Sequence, residues 1–205
     1  MGPDRRPTWY LFDYGMVVST APQPADWARL EQVVGRDLAP PGSPYWTNRL
    51  RFDAAALSPL EYWSEAAGRP LDLQLVDTLE ALDTAQWSHL DPVTLQVLRD
   101  LRDSGAPMAL LSNMPLGMSH RLGRADWLEP FAHAFFSGRL GLVKPDPRVY
   151  RHVLAELGAE PQQVVFVDDS PVNIAAAREL GLRTVLHTTS TDLAAELSRV
   201  RPATP

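Results

Sequence analysis

Residues 8–18 read TWYLFDYGMVV, and this stretch decides how the rest of the chain is interpreted. Its first part, Trp9–Phe12, is a short run of bulky residues that favour strands, and residues 16–18 resume the apolar pattern. Such a run is typical of a strand buried on both faces of a parallel sheet. These sheets bind ligands where their strands end, so Asp13 is expected at a ligand-binding edge. A simpler interpretation is a turn that begins at Asp13, with Gly15 supplying a positive φ.

The composition indicates a globular protein with one core and room for a modest insertion. The chain has 205 residues, of which 45% are hydrophobic, and a mean hydropathy of -0.18. It has no cysteine, which excludes disulfides, thiolate metal sites and a cysteine nucleophile. The net charge of -6 argues against a nucleic-acid partner, because phosphate backbones are met by clustered lysine and arginine.

The same inspection predicts neither a membrane segment nor a secretory leader. No apolar run approaches the roughly 20 residues that a helix needs to cross a bilayer. The first residues, MGPDRRP, lack the apolar stretch of a signal peptide. We therefore expect a cytoplasmic protein that does not bind membranes.

Helical patterns fill the chain from residue 21 to residue 88, with no convincing strand between them. Ser58, Pro59 and Glu61 form a helix start, with an N-cap, a proline in the first turn and an acidic side chain. The apolar spacing over residues 45–52 also predicts a helix. This block is rich in aromatic residues, namely Trp27, Tyr45, Trp46, Tyr62, Trp63 and Trp87.

From residue 91 onward, helices alternate with short apolar runs. Strands are predicted at residues 107–111, 131–136, 164–167 and 184–186, and a loop that carries Lys144 at residues 138–147. Alternation of this kind predicts an α/β fold with a doubly wound parallel sheet, to which the first strand also belongs. The predicted domains are a core of residues 1–20 and 89–205 and an inserted small all-helical cap of residues 21–88.

Three predicted strands end in polar residues, and all would end at one edge of the sheet. The polar residues are Asp13, the pair Ser112 and Asn113, and the pair Asp168 and Asp169, to which the loop adds Lys144. Taken singly, each of these residues also has a structural explanation, as part of a turn, as a helix N-cap or as a solvated cation. Their joint arrangement favours one site built from four segments.

These four segments resemble the motifs of the haloacid dehalogenase-like hydrolases, which have a Rossmann-like core. The first motif matches WYLFD, which ends at Asp13, and the second matches ALLSN, which contains Ser112. The third matches the Lys144 string GLVKPDPRVY, which is similar to the subfamily with small helical caps. The fourth matches VVFVDDSPVN, with Asp168, Asp169 and Asn173.

The resemblance implies a role for each motif residue in a Mg²⁺-dependent phosphatase. Asp13 would be the nucleophile that forms an aspartyl-phosphate, and Lys144 would neutralise Asp13 and the phosphoryl group. The hydroxyl of Ser112 and the amides near Asn113 would bind the phosphoryl group. Mg²⁺, a hard cation that selects oxygen ligands, would be held by Asp13, the carbonyl of Gly15, Asp168 and Asp169.

The sequence departs from the family at Gly15, where most of its phosphatases carry a second aspartate as general acid and base. Loss of such a group costs about two to four orders of magnitude in rate. The D-x-G-x-V form resembles a subgroup similar to the bacterial α-glucose-1-phosphate phosphatase, which acts on leaving groups that need less protonation. The expected substrate is therefore a small phosphorylated metabolite such as a sugar phosphate.

Two other functions stay open at this point. In a 2-haloacid dehalogenase, Asp13 would attack a carbon atom and no metal would be used. The acidic pair Asp168 and Asp169 argues against this function, and so does the position of Gly15, two residues after Asp13 where the dehalogenases have glycine three residues after it. A weakened binding or regulatory protein is the other possibility. Candidate substrate contacts are Arg49, Arg51, Tyr45 and Trp46 in the cap and Tyr14 in the core, each of which has a structural alternative. The chain is expected to be a monomer or a weak homodimer.

Overall fold

The chain folds around a five-stranded sheet in which every pairing is parallel. The computed structural model describes residues 7–200, so both ends of the predicted core domain, residues 1–6 and 201–205, lie outside the described residues. The strand order is β3-β2-β1-β4-β5, which places β1 in the centre and confirms the predicted doubly wound sheet. The strands are β1 (Trp9–Phe12), β2 (Met108–Ser112), β3 (His133–Phe136), β4 (Val164–Asp168) and β5 (Arg183–Leu186).

Eleven α-helices are assigned within residues 7–200, and none of them is both long and apolar enough to cross a membrane. Two 3₁₀ turns, at Asp126–Leu128 and Pro161–Gln163, complete the regular structure. The first five helices lie between β1 and β2, and they are α1 (Pro24–Val34), α2 (Pro44–Thr47), α3 (Arg49–Asp53), α4 (Pro59–Ala67) and α5 (Leu73–Gln86). The others are α6 (Pro92–Asp103), α7 (Leu116–Leu122), α8 (Ser137–Leu140), α9 (Pro147–Leu157), α10 (Pro171–Glu179) and α11 (Leu193–Val200).

Helices cover both faces of the sheet, which explains why the first strand is apolar throughout. Tyr10 and Phe12 point into a hydrophobic cluster shared with α6, α7 and α11. Leu11 points into the opposite cluster, which is shared with α9 and α10. Because successive strand residues face opposite sides, a strand buried on both faces needs apolar residues at every position.

Local helix signals act as the sequence predicts. The hydroxyl of Ser58 accepts a hydrogen bond from the amide of Glu61 at 3.2 Å, and the Glu61 carboxylate accepts one from the Ser58 amide at 2.8 Å. This reciprocal capping box satisfies two donors that would otherwise be unpaired at the start of α4. Gly68 ends the same helix in the left-handed conformation, with φ of 67°.

The helical block between β1 and β2, residues 24–86, has its own hydrophobic centre. Buried side chains of α1, α4 and α5 form a cluster separate from the two sheet clusters. The chain enters and leaves this block through adjacent segments, because the amide of Thr20 donates to the carbonyl of His89 at 2.7 Å and that of Asp91 to Val18 at 2.9 Å. The division into a core and a cap at these segments stays a prediction.

Four local expectations were wrong. Residues 16–18 form a turn and not strand, because the amides of Val18 and Ser19 donate back to the carbonyl of Tyr14 at 2.9 and 2.8 Å. The positive φ in that turn, 60°, belongs to Met16 and not to Gly15. The helix expected over residues 45–52 is broken at Asn48 into α2 and α3. The loop expected from residue 138 begins with the one-turn helix α8.

The helix α8 lies directly against the chain segment that follows β2. The amide of Gly138 donates to the carbonyl of Met114 at 3.1 Å. A Cβ atom at Gly138 would lie 2.5 Å from the nitrogen of Leu116 and 2.8 Å from the oxygen of Met114. Real Cβ atoms do not approach backbone atoms this closely, so this contact requires glycine.

We therefore expect Gly138→Ala to lower the free energy of unfolding by about 1–3 kcal/mol, because backbone must move to admit the methyl group. Urea denaturation measures this loss. Gly15→Ala is the matched control for stability, because a Cβ there would meet only Trp87, at an ordinary 3.7 Å. Equal unfolding midpoints for the two variants would contradict the close-contact explanation.

Candidate active site

The candidate site lies at the edge of the sheet where β1, β2 and β4 end side by side. The central strand β1 pairs with both of the others, and the amide of Asp13 donates to the carbonyl of Val167 at 2.9 Å. Ser112 and Asp168 are the last residues of β2 and β4. Because the strands are parallel, the structure brings these residues to one edge, as expected from the sequence.

A buried lysine joins two of these strand ends. The Nζ atom of Lys144 lies 2.7 Å from Oδ1 of Asp13 and 2.7 Å from Oδ2 of Asp168. The lysine side chain is 1% exposed and that of Asp168 is fully buried, whereas that of Asp13 keeps 11% exposure. Buried charges are tolerated only with partners of opposite sign, so this triad is a single electrostatic unit.

Asn113 fixes the loop that carries the lysine. Its Nδ2 donates to the carbonyl of Lys144 at 2.9 Å, and the amide of Lys144 donates to its Oδ1 at 2.8 Å. The carboxamide therefore holds the main chain of Lys144 by two hydrogen bonds. Asn113 was expected to contact the substrate through its backbone, and it also lines the cavity described below.

Asn173 is a site residue to which the sequence assigned no role. Its Nδ2 donates to both carboxylate oxygens of Asp168, at 3.0 and 3.1 Å, and the amide of Ser170 donates to Oδ1 at 2.8 Å. These bonds orient the Asp168 carboxylate together with the bond from Lys144 to Oδ2. The signal was the asparagine five residues after Asp168, one turn into the helix that follows β4.

Three carboxylates at this edge form a group that suits a divalent cation. Each of Asp13, Asp168 and Asp169 offers an oxygen atom, and the three atoms lie within 4.8 Å of one another. One lysine cannot neutralise three carboxylates, so the group needs further positive charge to stay ionised. An all-oxygen donor set of this kind fits Mg²⁺. Gly15, the fourth expected ligand, borders the same cavity.

Burial and mutual repulsion perturb the acidity of these groups. Burial raises the pKa of Asp13 to about 7, an effect that Lys144 opposes and Asp168 reinforces. Burial also raises the pKa of Asp169, and Asp168 adds to the shift. For Lys144, burial alone would lower the pKa, but Asp13 and Asp168 raise it above its ordinary value, so the ammonium stays charged.

A cavity of about 150 Å³ opens above this group and is closed from the other side by the helical block. Its volume is small compared with the roughly 300–1,000 Å³ of sites for drug-sized ligands, so it fits a small substrate. The sheet side contributes Asp13, Tyr14, Gly15, Ser112, Asn113, Met114, Met118, Lys144 and Asn173, and the helical block and its exit contribute Trp46, Arg49, Asp53 and Trp87.

The charged part of the helical wall is itself a compensated cluster. Nε of Arg49 donates to Oδ1 of Asp53 at 2.9 Å, and its Nη1 donates to Asp83 at 3.0 Å and to the hydroxyl of Tyr45. Of the two arginines proposed from the sequence, Arg49 lines the cavity, whereas the side chain of Arg51 is exposed elsewhere.

Of the aromatic residues proposed as substrate contacts, two line the cavity and one does not. Tyr14 and Trp46 line the cavity, but Tyr45 is buried behind it, where its hydroxyl also accepts a hydrogen bond from Nε1 of Trp87 at 3.0 Å. Asp53 was missed, because nothing in a helical pattern marks which polar residue turns inward.

Several curated proteins are similar to this chain, although some matches cover a small part of them. The chain is 38% identical to drimenol cyclase drtB of Aspergillus calidoustus over 79 residues, and 36% identical to bifunctional epoxide hydrolase 2 of Sus scrofa over 111 residues. These matches span 38% and 52% of this chain but only 15% and 20% of the relatives. The phosphoglycolate phosphatase of Caulobacter vibrioides is 30% identical over 180 residues, which cover 84% of this chain and 75% of that enzyme.

Solved structures with the same fold are more distant in sequence. An enzyme of the haloacid dehalogenase family from Bacteroides thetaiotaomicron, solved with magnesium and inorganic phosphate, superposes with a TM-score of 0.72 at 19% identity. The match covers 93% of this chain and 99% of that one, so the two chains share the whole fold.

The model of one protein family matches most of the chain. It describes haloacid dehalogenase-like hydrolases, and the match runs over residues 16–181. That range contains β2 to β4, the helical block and all the site residues except Asp13, Tyr14 and Gly15. Together with the relative from Caulobacter vibrioides, this match shows that the chain belongs to the haloacid dehalogenase-like hydrolases.

Proposed function

We propose that this protein is a Mg²⁺-dependent phosphatase that hydrolyses a small phosphorylated metabolite through an aspartyl-phosphate on Asp13. The observation that carries the proposal is the Asp13 carboxylate, held by a buried lysine beside two further carboxylates at the end of a parallel sheet. Hydrolysis of a phosphate ester by a carboxylate requires such a charged, preorganised setting. A relative that matches over most of this chain is a phosphoglycolate phosphatase, which supports the same class of reaction.

The hydrogen bonds of Asp13 leave one oxygen free for attack. Its Oδ1 accepts from the amide of Tyr14 at 2.7 Å and lies 2.7 Å from Nζ of Lys144. Among residues 7–200, no hydrogen bond is made to Oδ2. We assign Oδ2 as the nucleophile: it forms the bond to phosphorus while the ester oxygen leaves with its electron pair. Water then attacks the same phosphorus, which releases phosphate and restores the carboxylate.

The remaining site residues would bind the phosphoryl group. Lys144 neutralises charge on Asp13 and on the transferring group, and the hydroxyl of Ser112 and amides near Asn113 donate to a phosphoryl oxygen. Asp13, Asp168, Asp169 and the carbonyl of Gly15 would hold Mg²⁺, which when bound offsets the repulsion between the nucleophile and the phosphoryl oxygens. A 2-haloacid dehalogenase has no use for a metal, so the three carboxylates favour the phosphatase.

The helical wall favours a neutral, hydroxylated leaving group such as a sugar. The charge of Arg49 is already matched by Asp53 and Asp83, so it offers no net attraction to a carboxylate. Trp46 and Trp87 add flat apolar surfaces beside these polar groups. We propose that residues 21–88 act as a cap that closes over the substrate and excludes water, and that the chain belongs to the D-x-G-x-V subgroup of sugar-phosphate phosphatases.

The nucleophile can be tested with one conservative substitution. We expect Asp13→Asn to reduce Mg²⁺-dependent phosphate release from p-nitrophenyl phosphate by at least ~10⁴-fold, because the carboxamide cannot form the covalent intermediate. Circular dichroism should show a native fold, since the side chain keeps its size and its acceptor for Tyr14. Undiminished turnover by a folded variant would remove Asp13 as the nucleophile.

The metal site can be tested without an activity assay. Titration calorimetry should show Mg²⁺ binding to the wild type, weakened at least about tenfold in Asp168→Asn, because a neutral amide is a poor ligand for a hard cation. The exposed carboxylate of Asp37 provides the control Asp37→Asn, which should bind as the wild type does. Equal Mg²⁺ affinity in all three proteins would contradict the metal role of Asp168.

The leaving-group preference can be tested with a panel of phosphate esters. We expect higher kcat/KM for sugar phosphates than for phosphoglycolate and phosphoserine, because Arg49 is already paired within the helical wall and leaves no free cation there to bind a carboxylate. Phosphate release with Mg²⁺ and with EDTA gives the ranking, with Asp13→Asn as the blank. A preference for the carboxylated esters would show that Arg49 is available to the substrate.

A further inference from the structure

One carboxylate in the cavity has no role in the mechanism above. Asp53, the last residue of α3, is 5% exposed and lines the same cavity as Asp13 and Gly15. It belongs to the helical block, yet it lines the cavity that also contains the nucleophile. Position 15, two residues after the nucleophile, is glycine and therefore has no side chain that could carry a proton.

Asp53 is held at both its main chain and its side chain. Its carbonyl accepts a hydrogen bond from the hydroxyl of Ser137 at 2.7 Å, and that hydroxyl in turn accepts from the amide of Met114 at 2.8 Å. Its Oδ1 accepts from Nε of Arg49 at 2.9 Å. The residue is thus fixed relative to the segment that follows β2, on the sheet side of the cavity.

The second carboxylate oxygen of Asp53 is free. Among residues 7–200, no hydrogen bond is made to Oδ2, and this atom is not one of the buried polar atoms without access to solvent. One oxygen is thus anchored and the other is accessible, in a residue that lines the cavity. This arrangement suits proton transfer, because the accessible atom can hold the proton while the anchored one fixes its direction.

We propose that Asp53 is the general acid and base of this hydrolase, supplied by the helical block in place of the absent side chain at position 15. The proposal rests on the phosphatase function proposed above.

The two half-reactions balance with a single proton on Asp53. In the first, Oδ2 of Asp13 bonds to phosphorus, the bond from phosphorus to the ester oxygen breaks, and protonated Asp53 gives its proton to that oxygen, so an alcohol leaves. In the second, the Asp53 carboxylate takes a proton from water as the water oxygen bonds to phosphorus. The bond to Asp13 then breaks, and free phosphate, the Asp13 carboxylate and protonated Asp53 result.

The surroundings of Asp53 suit a group that exchanges protons near neutral pH. Burial raises the pKa of Asp53 to about 6, while Arg49 on the same helix opposes the shift, Asp83 on α5 reinforces it and Lys144 across the cavity opposes it. Tyr45 on α2, whose hydroxyl donates to Asp83, and Tyr62 on α4 are further titratable groups of the cluster. A pKa near the working pH gives both protonation states that the two half-reactions need.

The test is Asp53→Asn with two substrates that differ in their need for a proton. The first is the best-hydrolysed alkyl phosphate of the panel, whose alkoxide is a poor leaving group, and the second is p-nitrophenyl phosphate. We expect the variant to lose about 10²–10⁴-fold in kcat on the alkyl phosphate. With the aryl ester it should release one nitrophenolate per active site in a fast burst and then stall, with one phosphoryl group on the protein by mass spectrometry.

The pH dependence of the wild type tests the proposal without any variant. Because the acid must be protonated in the first step, kcat for the alkyl phosphate should fall as pH rises above about 6. The rate of the nitrophenolate burst should not fall over the same pH range, because nitrophenolate leaves without a proton. If both fall together, or if no alkyl phosphate is hydrolysed while the aryl ester is, Asp53 is not the acid.

Asp83→Asn is the matched control, because Asp83 is the other buried carboxylate paired with Arg49 but does not line the cavity. This variant should change kcat for both substrates by the same factor and should release no burst of nitrophenolate. If it reproduces the selective loss and the burst, the effect comes from Arg49 and the proposal is overturned. In the Asp53→Asn background, Gly15→Asp should restore alkyl phosphate turnover at least about tenfold.

The outcomes separate this inference from the phosphatase function on which it rests. A folded Asp53→Asn protein that turns over both substrates like the wild type would overturn the role of Asp53 alone. A wild type that releases no phosphate from either ester would overturn the phosphatase function itself.

Discussion

The burial of the Lys144 ammonium between two carboxylates is the constraint on which the rest of the site depends. An ammonium that is 1% exposed is tolerated only when opposite charge lies within hydrogen-bonding distance, and both Asp13 and Asp168 lie 2.7 Å away. Asp13 follows β1 and Asp168 is the last residue of β4, whereas the lysine lies on a loop after α8. The two hydrogen bonds between the Asn113 carboxamide and the main chain of Lys144 hold that loop in place. Three separate chain segments are thus fixed by one charge.

The same rule organises the opposite side of the cavity. The side chain of Arg49 is 12% exposed and has Asp53 and Asp83 as its partners, so each wall of the cavity carries a cation between two carboxylates. The walls differ in their number of carboxylates. Among the described residues, a third carboxylate close enough to share a cation, that of Asp169, lies on the sheet side. A metal therefore suits the sheet side, and the helical side suits hydrogen bonding to a neutral group. The bond from Ser137 to the carbonyl of Asp53 joins the two walls directly.

Most regular elements were predictable because their signals are local. The strand β1 is apolar at every position, and Ser58 and Gly68 mark the ends of α4 by their own backbone chemistry. The errors occurred where distant contacts decide. Residues 16–18 have strand-favouring side chains, yet they turn, because Val17 and Val18 are buried beside the sheet while Tyr14 accepts their amides. The short α8 forms where Gly138 meets the backbone of residues 114–116.

The sequence by itself determined the fold class and the four segments that meet at the strand ends, because parallel strands bring their ends to one edge whatever the connecting helices do. It also marked Asp13, Ser112, Lys144 and Asp168 by position. Only the tertiary structure decided that Asn173 orients Asp168 and that Asp53 of the helical block faces the cavity. The physical reason is that periodicity shows which side of a helix is buried. Which distant residue it meets depends on how two packed layers align, and no local pattern encodes that alignment.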